Sequence, residues 1–109
     1  MYLSGYRYMW VVAMFDLPVA TKADRKRYAR FRKSLVKAGF ARMQFSVYTR
    51  SCPSRENAAV HVNRVAAAVP AEGEVRILLV TDKQFERMLV FWGGKAKAPA
   101  PPAAQLMLF

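Results

Sequence analysis

Few groups in this chain can do chemistry. It has only seven acids, Asp16, Asp24, Glu56, Glu72, Glu74, Asp82 and Glu86, and none stands at strand or helix spacing beside Asp16. The single Cys52 and the single His61 give no ligand set with zinc spacing and no internal disulfide, which fits a reducing, cytoplasmic setting. There is no Ser/His/Asp constellation, no phosphate-cradling glycine loop and no context that would make Cys52 a nucleophile. Asp16 is the carboxylate whose position can be argued. It ends the apolar run Met9-Trp10-Val11-Val12-Ala13-Met14-Phe15 and precedes Leu17-Pro18, so it should sit at the carboxyl end of a buried strand. Two-metal phosphodiester hydrolysis needs several oxygen ligands around cations about 3.5 to 4 Å apart, and one subunit offers one good candidate. Two-fold symmetry would double it. Two Asp16 side chains meeting at a dimer axis can share one hydrated Mg²⁺ or another divalent cation, because waters complete the octahedron. The bland alternative is that Asp16 only braces the turn through its own backbone amides.

Charge supplies the other chemistry. The 109 residues hold 18 Lys and Arg against 7 Asp and Glu, a net charge of +11, which implies a polyanionic partner. Nucleic acid fits better than a membrane surface, since the cations accompany strand-type residues rather than one anchored amphipathic helix. The apolar run is too short to span a bilayer, and no small-residue cleavage site follows it. Lys22, Lys26, Arg30, Lys33 and Lys37 recur at helical spacing with no interleaved acid. Such a stripe is ordinarily a solvated face, and here it also suits phosphate contact. Arg25, Arg42 and Arg50 fall near strand ends and join the candidate contacts, with Gln44 and Ser46 on a polar strand face.

The elements that must position these groups follow from periodicity. Thr21-Lys22-Ala23-Asp24 opens a helix by a capping-box pattern, Tyr28, Phe31 and Leu35 form its inner stripe, and Gly39 is its C′ residue. From Phe40 the period is two, with Met43, Phe45 and Val47 on one face and Gln44, Ser46 and Tyr48 on the other, in a strand through residue 52 long enough to bend. Ser54 caps a second helix with the stripe Ala58, Val62, Val65 and Val69, and a lone His61 beside it reads as a boundary residue. Glu72-Gly73-Glu74 turns into the strand Val75 to Thr81, expected to be central like the first. After a break at Asp82-Lys83-Gln84 comes a short strand, Met88 to Trp92, and Gly93-Gly94 closes the folded region. Residues 1–94 thus read as one domain and 95–109 as a Pro/Ala-rich tail. The order predicts an α+β, ferredoxin-like βαββαβ sandwich with an extra C-terminal strand. Its uncovered sheet face would be buried in a homodimer, and Met88 to Trp92 is a candidate for crossing to the partner.

Taken in order, Phe15-Asp16-Leu17-Pro18, a basic helix closed by Gly39-Phe40, then Arg42-Met43-Gln44-Phe45-Ser46-Val47-Tyr48, and the late Thr81-Asp82-Lys83-Gln84-Phe85-Glu86-Arg87 resemble CRISPR-associated protein two, the small subunit of the spacer-acquisition machinery. The resemblance spans about Tyr8 to Gly94. It implies a ferredoxin-like homodimer that binds duplex DNA between two dimers of the integrase, CRISPR-associated protein one, in antiviral defence. It equally implies metal-dependent endonuclease activity on RNA or DNA with Asp16 as the Mg²⁺ ligand. The residues themselves favour the architectural role, since a basic dimer can hold a duplex by its phosphates while one carboxylate per subunit makes a meagre nuclease. An RNA-recognition module is a poor third, because its stacking face would offer Tyr48 alone.

The chain's last residues, Gln105-Leu106-Met107-Leu108-Phe109, are an apolar pentapeptide after the Pro/Ala linker. They resemble the Gln-Leu-x-Leu-Phe peptide by which bacterial proteins enter the cleft of the replication sliding clamp. Gln105, Leu106, Leu108 and Phe109 are therefore candidate docking residues for that clamp or, by edge-strand pairing, for the integrase.

Overall fold

The computed structural model describes residues 8–97. The candidate docking residues Gln105, Leu106, Leu108 and Phe109 lie outside that range. Strand β1 (Met9–Asp16) is followed by helix α1 (Lys22–Lys37), strands β2 (Ala41–Gln44) and β3 (Val47–Cys52), helix α2 (Arg55–Ala68), strand β4 (Glu74–Thr81), the short helix α3 (Asp82–Glu86) and strands β5 (Val90–Trp92) and β6 (Lys95–Lys97). A four-stranded sheet has the order β2-β3-β1-β4, with every neighbouring pair antiparallel. This is the ferredoxin-like arrangement, with both long helices on one face.

The helices begin and end where their chemistry dictates. Thr21 caps α1 by accepting from the Asp24 amide at 3.0 Å, while the Asp24 carboxylate accepts from the Thr21 amide at 3.1 Å. Those Thr21 hydrogen bonds, and then Arg27, hold the Asp24 carboxyl below the usual carboxylate range. Past the C-cap Ala38, Gly39 takes the left-handed conformation at φ 90° that releases the chain into β2. Phe31 and Leu35 of α1 and Ala58 and Val65 of α2 bury against Met9, Val11, Ala13 and Phe15 of β1. On the opposite face Trp10 stacks on Phe85 with ring centroids 3.9 Å apart and donates to Asp82 Oδ1 at 2.7 Å, so α3 lies over that part of β1.

Several expectations change. The alternation from Phe40 to Cys52 is broken by a turn at Phe45 and Ser46, where Ser46 adopts φ 61° without being glycine. The turn resets the phase, so Tyr48 is buried at 4% exposure and Phe45 stands out at 72%, the reverse of the predicted faces. Strand β4 lies at the sheet edge instead of its centre, and its Leu78 and Leu79 remain exposed. Asp82 to Glu86 forms a helix because Thr81 and Gln84 complete a second capping box. Gly93 and Gly94 turn the chain instead of ending it, and β6 pairs with β5 as a separate hairpin.

His61 is inside, not at a boundary, with 5% exposure and with Nδ1 lacking a partner among the described residues. Burial, then the charges of Arg50 and Arg64, lower its pKa from the ordinary value near 6.5. The unfolded chain therefore takes up a proton that the native state resists, and stability is lost as pH falls below about 6.5. Urea denaturation between pH 7.5 and 5.5 should show this decline. His61→Leu should flatten it, whereas an equal slope in that variant would remove His61 as its source.

Candidate functional site

Asp16 ends β1, exposed, as the sequence requires. The register pairs it directly with Glu74 of β4, as Phe15 pairs with Val75 and Met14 with Arg76. Directly opposed residues project from the same face with Cβ atoms about 4.5 to 5.5 Å apart, so two carboxylates stand side by side. Both line an open cleft of about 250 Å³ together with Met14, Phe15, Phe45, Ser46, Val47 and Arg76. Spacing along the chain could not reveal Glu74, because it lies 58 positions after Asp16 and only strand pairing unites them. Its one sequence signal is the glycine before it. At φ 97° Gly73 packs on the end of β1, where an added Cβ would lie 2.9 Å from the Asp16 carbonyl oxygen and 2.7 Å from Leu17 Cδ2.

Glu74 Oε1 accepts from Arg76 Nε at 2.5 Å, which leaves its other carboxylate oxygen unused by that pair. The Asp16 carboxylate has no hydrogen bond or ion pair to any described residue. Among the described residues no group of three or more His, Cys, Asp or Glu could hold a metal ion. Two hard carboxylates in an open cleft therefore fit a hydrated Mg²⁺-type cation, which accepts one or two protein ligands and keeps its waters. They do not fit a cation that demands a full protein cage.

The other side of the cleft is the β2–β3 turn. Ser46 O accepts from the Phe15 amide at 3.0 Å, and the Ser46 and Tyr28 hydroxyls hydrogen-bond at 2.8 Å. These bonds hold a left-handed non-glycine residue whose conformation costs on the order of 1–3 kcal/mol.

The candidate phosphate contacts divide into free and committed cations. Lys22, Lys26, Arg30, Lys33 and Lys37 are exposed along α1, and the ion pairs among the described residues are Arg27–Asp24 and Arg76–Glu74. Arg25 Nη1 donates to the carbonyls of Val19 and Ala20 and braces the β1–α1 loop. Arg42 is exposed with its guanidinium carbon 5.8 Å from the Phe45 ring centroid, and Gln44 is exposed at the end of β2. Arg50 is different. Half-buried on the helix side, it donates from Nη1 to the Ala38 carbonyl at 2.7 Å and so ties β3 to the end of α1. A second cleft, of about 400 Å³, lies between the helices and is lined by Arg27, Arg30, Phe31 and Ser34 with Ala67, Ala68 and Pro70, well apart from the carboxylates.

The profile of the family described as CRISPR associated protein Cas2 matches residues 9–88. A CRISPR-associated endoribonuclease Cas2 of Parvibaculum lavamentivorans is 56% identical over 101 residues, covering 93% of this chain and 100% of the relative. One from Flavobacterium psychrophilum is 44% identical over 107 residues, covering 98% of this chain and 93% of the relative. A crystal structure of a Cas2 protein superposes with a TM-score of 0.55 over 86% of this chain and 95% of the other, at 23% identity, which speaks to the fold alone.

The close packing of Gly73 on β1 makes the carboxylate register testable. Gly73→Ala forces a Cβ against Asp16 and Leu17 at a positive φ, and it should lower stability by roughly 1–3 kcal/mol in urea denaturation. A variant as stable as the parent would show that the approach of β4 to the end of β1 is not tight.

Proposed function

This chain belongs to the CRISPR-associated Cas2 family, and from that premise we propose that it is a metal-dependent endonuclease cutting single-stranded RNA, with Asp16 as the principal metal ligand. The pairing of Asp16 with Glu74 carries this reading. A single carboxylate per subunit had argued against catalysis, and the register supplies a second in the same cleft. The family's relatives bear the name endoribonuclease, which points the same way. A hydrated Mg²⁺ bound there would supply Lewis acidity at a phosphoryl oxygen and a water of lowered pKa. Asp16 offers its carboxylate oxygens to that ion. Glu74 adds the oxygen that Arg76 leaves unused, and Arg76 fixes the orientation of Glu74 while placing positive charge where a phosphate would lie. A homodimer in which two such clefts approach would bring four carboxylates together. The exposed apolar residues of β4 and of the β5–β6 hairpin, Leu78, Leu79, Leu89, Phe91 and Trp92, support a second copy as the partner of this edge.

A second reading is favoured by the free cations of α1. Lys22, Lys26, Arg30, Lys33 and Lys37 form a face suited to the phosphates of duplex DNA, as an architectural role beside the integrase, CRISPR-associated protein one, would need. In that role the terminal peptide Gln105 to Phe109 would dock the integrase or the replication sliding clamp.

Asp16→Asn separates the readings, since it keeps the shape and removes the charge. Metal-dependent cleavage of single-stranded RNA should fall to background, while duplex binding keeps its affinity and its salt dependence. Cleavage retained by a rigorously purified preparation of the variant would overturn the catalytic reading.

A further inference from the structure

The tip of the β2–β3 turn carries an aromatic ring that the fold itself does not use. Phe45 is 72% exposed, although it is among the largest apolar side chains in the domain and sits beside a core that buries Phe15, Phe31, Phe40 and Tyr48. Its position is nonetheless fixed. Tyr28 stacks near it with ring centroids 6.1 Å apart and an interplanar angle of 22°, and the Tyr28 hydroxyl is bonded to Ser46, the next residue. Ser46 is in the left-handed conformation, and its carbonyl is held by the Phe15 amide. The turn is thus anchored at three points, all of which hold Phe45 outward. The ring lines the same cleft as Asp16, Glu74 and Arg76, and the Arg42 guanidinium carbon lies 5.8 Å from its centroid.

We propose that Phe45 is a stacking platform for one unpaired nucleobase, placed so that the adjoining backbone enters the Asp16 cleft. The inference rests on the nucleic-acid reading of that cleft and deepens it by naming what selects the strand. A π-face offered to solvent binds any base, and two arginines nearby, Arg42 with its guanidinium carbon 5.8 Å from the ring centroid and Arg76 lining the same cleft, complement the phosphates flanking a stacked base. Inside a duplex the base faces are already covered by their neighbours, so away from duplex ends the platform acts on an unpaired nucleotide. The cleft would therefore engage single strands while the cations of α1 remain indifferent to strandedness.

The test is a titration of the full chain, in EDTA, with a short single-stranded RNA carrying 2-aminopurine at one internal position, read by fluorescence quenching, alongside the same RNA annealed to its complement. Phe45→Ala should weaken single-strand binding about ten- to a hundredfold and abolish the quench, Phe45→Trp should restore both, and duplex affinity should stay unchanged in each variant. Thermal melting of Phe45→Ala should match the parent, since the ring is outside the core. Equal single-strand affinity and quenching in Phe45→Ala would overturn the proposal. So would a shift of that variant to a smaller species in sedimentation with the quench retained, which would assign the ring to a contact with a second copy. Because no divalent cation is present, the result does not depend on whether Asp16 supports cleavage.

Discussion

The fold depends on β1 being held from both sides. It pairs antiparallel with β3 through Met9 to Met14 and with β4 through Met9 to Asp16, while its alternate side chains meet the helices on one face and α3 on the other. No half of this strand can slip by one residue without exchanging its two buried faces, turning Val11, Ala13 and Phe15 away from the helices and Trp10 and Val12 toward them. Its register is therefore the best-determined feature of the domain, and everything chemical hangs from where it ends. Pro18 stops the ladder, Asp16 is its last paired residue, and Gly73 lets the following strand begin directly opposite.

The cleft at that end is assembled from three distant parts of the chain. The carboxylates come from β1 and β4, the guanidinium from β4, and the hydroxyl and aromatic ring from the turn between β2 and β3. None of these is on a long loop, and the turn is anchored by hydrogen bonds to Phe15 and Tyr28, so the groups are held by rigid elements. Charge is organised separately. The cations of α1 lie on the helix layer and carry no acids of their own apart from Asp24, which Arg27 occupies. One part of the molecule is thus a cationic helix face, and another a cleft lined by two carboxylates, a guanidinium and an aromatic ring.

What the sequence made legible was local. The capping box of Thr21 and Asp24, the C′ role of Gly39, the cap at Ser54 and the strand ending at Asp16 all depend on residues within a few positions of each other, and each is found as expected. What it hid was either non-local or carried by an unusual residue. The partnership of Asp16 with Glu74 needs the register of two strands at opposite ends of the chain. The turn at Phe45 and Ser46 lacks the Gly or Asn-Gly that marks such turns, because here hydrogen bonds to Ser46 stabilise the left-handed conformation. That one turn inverted the predicted roles of Phe45 and Tyr48. His61 reads as a boundary residue because α2 has a weakly patterned apolar face, and only the packed structure shows it buried, where the charge of Arg50 acts on it. The edge position of β4 was equally hidden, since an apolar edge strand with Leu78 and Leu79 exposed reads in sequence like one buried within its sheet.

The central claim is that the end of β1, paired with β4, is where a divalent cation binds. The direct measurement is a titration of ¹⁵N-labelled protein with Mn²⁺, following paramagnetic broadening of the amide resonances. Broadening should begin at Asp16, Leu17, Gly73 and Glu74, reach Ser46 across the cleft, and reverse on addition of excess Mg²⁺. Broadening centred on Glu56 or Glu86, with the resonances at the end of β1 left sharp, would contradict the account.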